Sequence, residues 1–168
     1  MAGTLWVAVL GVVLSCLSLG WQAANYVLTG GRVRVTLLVG AMGNGGMVTG
    51  NPNKLRAGWF DRVAEQGFRA PVVAVKVANV GRQPVTVARW SVVCPLAGTF
   101  TPVNSSIGPV LPHRLEVGES ETWAMDMHEV RALMETTRKV VARGRRVVAF
   151  GQVELGDGRT KRTREEIR

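Results

Sequence analysis

The apolar positions of the chain fall into two regimes. From Leu5 to Trp21, LWVAVLGVVLSCLSLGW, apolar residues occupy every side of a helical wheel and no charge interrupts them. Beyond Gly30-Gly31 the pattern changes to short alternating runs divided by Gly, Pro and Asn. The first regime predicts a membrane-spanning helix, since a buried core helix would usually show a polar face, and the second a series of strands. Among the alternating runs, Arg32 to Val39 sets Val33, Val35, Leu37 and Val39 on one face. Pro71 to Ala78 does the same with Val73, Val75 and Val77, leaving Lys76 outside. Val85 to Cys94 is a third strand, with Thr86, Ala88, Trp90, Val92 and Cys94 expected inside, and the short Asn79–Pro84 link predicts an antiparallel hairpin between these two strands. Further strands are expected at Thr99–Val103 (an edge), Glu121–Met127 and Arg146–Leu155, with Arg159–Arg162 pairing back across the Gly156-Asp157-Gly158 turn. Gly40 to Asn53 reads as a long loop, and 55–68 as a short helix or an irregular excursion. His128 to Thr137 fits a helix with Val130, Leu133 and Met134 on one side and Asp126 as its cap.

The apolar N-terminus sets the class. A helix from Trp6 to Tyr26 rises about 30 Å, the thickness of a bilayer core. Leu5, Val9, Leu10, Val13 and Leu17 give it an apolar surface, and Trp6, Trp21 and Tyr26 stand near its ends, where amphipathic rings favour the interface. A cleaved signal fits less well, because Met1-Ala2-Gly3-Thr4 lacks a basic residue. Val13-Leu14-Ser15-Cys16 resembles a bacterial lipobox, which would attach the chain through Cys16 with the domain outside; against it, the apolar run continues through Leu17, Leu19 and Trp21. Arg32 and Arg34 follow the span and no basic residue precedes it, so the positive-inside bias predicts a cytoplasmic domain. The expected organisation is an anchor over 1–29, a β-sandwich over 30–158 and a basic tail over 159–168.

Charge and composition narrow the chemistry. The chain has 168 residues, 21 Lys or Arg against 12 Asp or Glu, two Cys and two His. Two cysteines are too few for a disulfide scaffold or a four-thiolate zinc site. His113 and His128 have no neighbours that suggest a catalytic triad, and Glu119 and Glu121 would need partners on other strands to act as a carboxylate pair. Gly45 to Gly50 has phosphate-loop spacing, but Asn51 stands where the lysine belongs. No enzyme activity, metal or cofactor is expected. The basic residues Arg138, Lys139, Arg143, Arg145 and Arg146 are candidate contacts for an anionic membrane surface, a simpler partner than nucleic acid beside an anchor.

Two strings carry a resemblance. Val77-Ala78-Asn79-Val80-Gly81-Arg82-Gln83-Pro84-Val85-Thr86-Val87 resembles the strand–NxGxxPV–strand hairpin of bacterial immunoglobulin-like domains. Leu111-Pro112-His113-Arg114-Leu115-Glu116-Val117-Gly118-Glu119-Ser120 is similar to the L-x-x-G-E-S turn of the same domains. With one N-terminal helix, the chain resembles small uncharacterised membrane-anchored proteins of actinobacteria and their phages, and the excess of Arg over Lys fits a GC-rich genome. The resemblance implies a mainly β fold: a transmembrane helix followed by one antiparallel immunoglobulin-like sandwich with a short helix. It implies an anchor and supplies no catalytic residue. Two functions follow as expectations: a membrane-tethered, non-catalytic adaptor with the bilayer and an unidentified protein as partners, or a virion-associated structural protein whose apolar N-terminus packs in an assembly.

Overall fold

The structure, a computed structural model, describes residues 2–43, 45–103, 106–141 and 146–167; at Ala2, Thr4, Leu5 and 26–29 it describes the backbone only. Helix α1 spans Ala2–Thr29. After three intervening residues β1 begins (Val33–Gly43), and hairpin partner β2 (Gly46–Gly50) follows. Then come α2 (Trp59–Glu65), β3 (Ala70–Asn79), β4 (Val85–Cys94), β5 (Gly98–Phe100) and β6 (His113–Leu115). The chain closes with β7 (Ser120–Asp126), α3 (Met127–Val140), β8 (Phe150–Leu155) and β9 (Thr160–Arg162).

These strands make two antiparallel sheets. One has the order β2-β1-β3-β7; in the other β4 pairs with β5, β6 and β8, and β8 pairs with β9. The alternation of β1 and β3 does what it predicts. Leu37, Val39, Val73, Val75 and Val77 turn inward, and Lys76 is exposed. Their inner face meets Trp90, Val92 and Val153 of the other sheet in one apolar core, which Trp123 and Met125 of β7 also enter. The two indoles are fully buried, and each keeps its N–H satisfied: Trp90 donates to Ser106 Oγ at 3.0 Å and Trp123 to the Pro109 carbonyl at 2.9 Å. Helix α3 buries Met127, Val130 and Met134 against the same core, and the Asp126 carboxylate caps it by accepting from the His128 amide at 2.8 Å.

Several expectations are corrected. Gly40 to Asn53 is not an open loop: β1 continues through Gly43 and turns back into β2. Glycine makes this possible, because a Cβ at Gly40 would collide with the Val48 carbonyl of the partner strand. The ambiguous 55–68 stretch holds the short α2, which buries Val63. Strands β3 and β4 are not a hairpin. They lie in different sheets, and Asn79–Pro84 carries the chain from one to the other. The Asn79 side chain fixes this crossing: its amide donates to the carbonyls of Gln83, Leu115 and Glu116, and its Oδ1 accepts from the Gly81 amide. The expected inner face of β4 fails in its first half. Thr86 is exposed while Val85 and Val87 are buried, because the register shifts between Val87 and Arg89 and flips the alternation before Trp90. The strand expected from Arg146 begins at Phe150, with an isolated bridge at Ala149. The basic terminus is no separate tail: Thr160–Arg162 pairs with Gln152–Glu154, and Ile167 bridges Ala149 and packs in the core.

A basic cleft between two sheet edges

The expected anchor residues lie on α1. The helix has one stretch long and apolar enough to cross a membrane, Trp6–Asn25, and none of it is buried by the rest of the protein. Trp6, Val9, Leu10, Val13, Leu17 and Trp21 are all exposed on it, while Leu5 and Tyr26 contribute backbone only to the description. Ser15 returns its hydroxyl to the Gly11 carbonyl at 2.8 Å, so that polar group is satisfied within the helix. Cys16 is exposed on the same surface.

The basic residues expected at a membrane surface lie on α3 and in the segment after it. Arg138 and Lys139 lie in the last turn of α3, in the connection from β7 to β8. Asp126, where that connection starts, pairs with Val72, and Val72 pairs with Gly40. The connection therefore leaves the sheet far from Val33, the end nearest α1 in the chain. Arg146 binds Glu166 at 3.1 Å, and Arg143 and Arg145 lie outside the described residues.

A different set of cations comes together. Strand β2 covers β1 only from Val39 to Gly43, so the Val33–Leu38 half of β1 is a sheet edge. Strand β9 is the edge of the other sheet on the same side. Between them runs a cleft of about 780 Å³, lined by Arg32, Arg34, Arg159, Lys161, Arg162 and Arg164, with Val33, Val35, Val80 and Leu155 as its apolar surface. Glu165 is its one acidic lining residue. The Glu165 carboxylate accepts from the Leu37 amide at 3.3 Å and from Asn51 Nδ2 at 3.4 Å, which ties the terminus to β1. Arg159 reaches the Gly31 carbonyl at 3.4 Å and pairs with Asp157 at 2.6 Å. The hydrogen bond from that guanidinium holds the Asp157 carboxyl below the ordinary aspartate range. Arg162 donates to Gln152 Oε1 at 2.8 Å. Arg34, Lys161 and Arg164 form no ion pair among the described residues.

The remaining candidates for chemistry stay scattered. His128 gives its amide to the helix cap, and the Glu119 carboxylate accepts from the Glu116 amide at 2.7 Å within a turn. His113 stacks edge-on near Trp123 with ring centroids 6.0 Å apart, its Nε2 buried and without a hydrogen-bond partner among the described residues. No group of three His, Cys, Asp or Glu side chains is gathered for a metal among the described residues. The Gly45–Gly50 segment forms the hairpin with β1.

The sequence does not predict the cleft, although its parts stand out as Arg32 and Arg34 after the apolar run and as the Arg-rich C-terminus. Only the pairing of β9 with β8 brings these segments, some 125 residues apart, to one place. No family model, curated protein or solved structure matches the chain.

Proposed function

We propose that the protein is a membrane-tethered, non-catalytic interaction domain that meets its partner at the basic cleft. One observation carries this: a span-length apolar helix with no face buried in the protein leads within three residues into a domain whose open edges are cationic. An apolar surface of that extent suits a lipid environment. Arg32 and Arg34 on its C-terminal flank support a cytoplasmic domain.

Strand order supports an immunoglobulin-like sandwich. β1, β3 and β7 correspond to strands A, B and E of that fold, and β4, β8 and β9 to C, F and G. Trp90 then occupies the core position on strand C. Where antibody domains link B to F by a disulfide, this chain sets Gly151 against Val75, and Cys94 is a free thiol.

The test is fractionation with and without the helix. The full chain should sediment with membranes and leave them only in detergent, whereas a chain lacking residues 1–28 should be soluble with a β-type circular dichroism spectrum. Aggregation of the truncated chain without a β signal, or sedimentation with particles in place of membranes, would refute the tether.

A further inference from the structure

We infer that the cleft takes an extended peptide with alternating apolar and acidic residues, which adds as a strand along Val33–Thr36 of β1, short of the Leu37 amide that Glu165 holds. The backbone supports this. In an antiparallel ladder successive residues point their N–H and C=O alternately toward and away from the neighbour. The Arg32 carbonyl accepts from the Val80 and Gly81 amides, on the β3 side. The Leu37 amide instead meets Glu165, and the Gly31 carbonyl meets Arg159, both across the cleft. Odd-numbered residues of β1 therefore aim outward, and Val33 and Val35 present their N–H and C=O groups to the cleft. Further along, Val39, Ala41 and Gly43 use the same outward groups to pair with β2. β2 leaves this edge after Gly50, where Asn51-Pro52 begins a turn. An added strand would continue the line that β2 abandons.

Side chains set the partner's chemistry. Residues of an added strand alternate between the two faces of the sheet. Those facing inward would meet Val33, Val35 and Leu155, at the open side of the core. Those facing outward would lie beside Arg34, which projects from the opposite face of β1, with Arg164 and Lys161 also on the cleft wall. Glu165 already shows a carboxylate accepting from this edge. A lipid headgroup would satisfy the cations but not the strand edge, which favours the peptide.

This inference rests on the interaction-domain reading, so it is tested in neutral detergent, where the result does not depend on whether α1 spans a bilayer. Fluorescence anisotropy of the full chain is measured with a short labelled peptide alternating glutamate and valine. Comparison peptides carry the same residues in two blocks, or N-methyl groups on the backbone amides that would face β1. The alternating peptide should bind, and each comparison should bind about tenfold more weakly or worse. Lys161→Glu with Arg164→Glu should weaken the alternating peptide to a similar degree, about tenfold. Failure of the alternating peptide to bind, or equal binding of the block or N-methylated peptides, would overturn strand addition. Displacement of the peptide by an equal concentration of glycerophosphoserine would assign the cleft to lipid headgroups instead.

Discussion

Asn79 offers the sharpest test of how the two sheets are joined. Its side chain is buried, and its two amide N–H groups serve three carbonyls, that of Gln83 at 2.8 Å and those of Leu115 and Glu116 at 3.2 Å each, while its Oδ1 accepts from the Gly81 amide at 3.0 Å. It thus holds the β3–β4 crossing against the turn that leads into β7. At about 1 kcal/mol net per bond, with a further penalty for any buried group left unpaired, Asn79→Ala should lose about 3–5 kcal/mol. For a domain of this size that lowers Tm by about 10–15 °C. Asn79→Asp keeps the shape and the acceptor but aims a carboxylate at three carbonyls. Burial there raises the new carboxyl's folded pKa above its unfolded value of about 3.9. The folded state then keeps a proton that the unfolded state releases. The stability of this variant relative to the parent therefore falls as pH rises through and above 4, and recovers on acidification. Denaturant melts across pH read both effects. A loss below about 1 kcal/mol for Asn79→Ala, or a pH-independent deficit for Asn79→Asp, would refute this account of the crossing.

Trp90→Ala should cost about 3–5 kcal/mol, because the ring is buried between the sheets; melting within a degree or two of the parent would show that the space is filled in another way. Cys94 is fully buried, so a thiol reagent should modify it only after denaturation, and rapid native-state labelling would contradict the packing of β4. Topology is better read from an exposed position: Thr136→Cys on α3 should label with an impermeant reagent in lysed cells only, and labelling in intact cells would place the domain outside. By NMR, Asp157 should titrate below the ordinary aspartate range and move back up in Arg159→Ala; an unmoved midpoint would mean that the pair does not form in solution.

The parts of the fold that sequence revealed are those whose pattern is local. The valines of β1 and β3, the Asp126 cap and the apolar face of α3 each follow from spacing within a few residues. The errors come from choices made across the molecule. A short Gly/Pro link between two strands fits a hairpin or a crossing equally well, and what decides is Asn79 meeting carbonyls 36 and 37 residues away. The irregularity between Val87 and Arg89 moves Thr86 to the outside without any local mark such as Gly or Pro. In the 40–53 stretch, abundant glycine reads as loop, yet one of those glycines is there because another strand lies close. The cleft was hidden for the same reason: basic residues near the two ends of the chain look like separate flanks until the sheet edges bring them together.

The joint between α1 and the domain is short and fastened. Only Gly30–Arg32 separate Thr29 from β1, at most about 14 Å of chain when fully extended. The Arg32 carbonyl is held by the Val80 and Gly81 amides at 2.8 and 3.0 Å, and the Gly30 carbonyl would lie 2.8 Å from a Cβ at Gly81, so any side chain there would push the joint away. With α1 in a bilayer, the domain is kept on a tight leash at the surface. A partner dissolved in the bulk gains nothing from that arrangement. A partner confined to the same membrane, with an acidic segment just outside it, searches in two dimensions at the high effective concentration that tethering creates, and even weak strand pairing then suffices for occupancy. Lengthening the joint with a flexible insert dilutes that advantage while leaving every contact in the cleft unchanged.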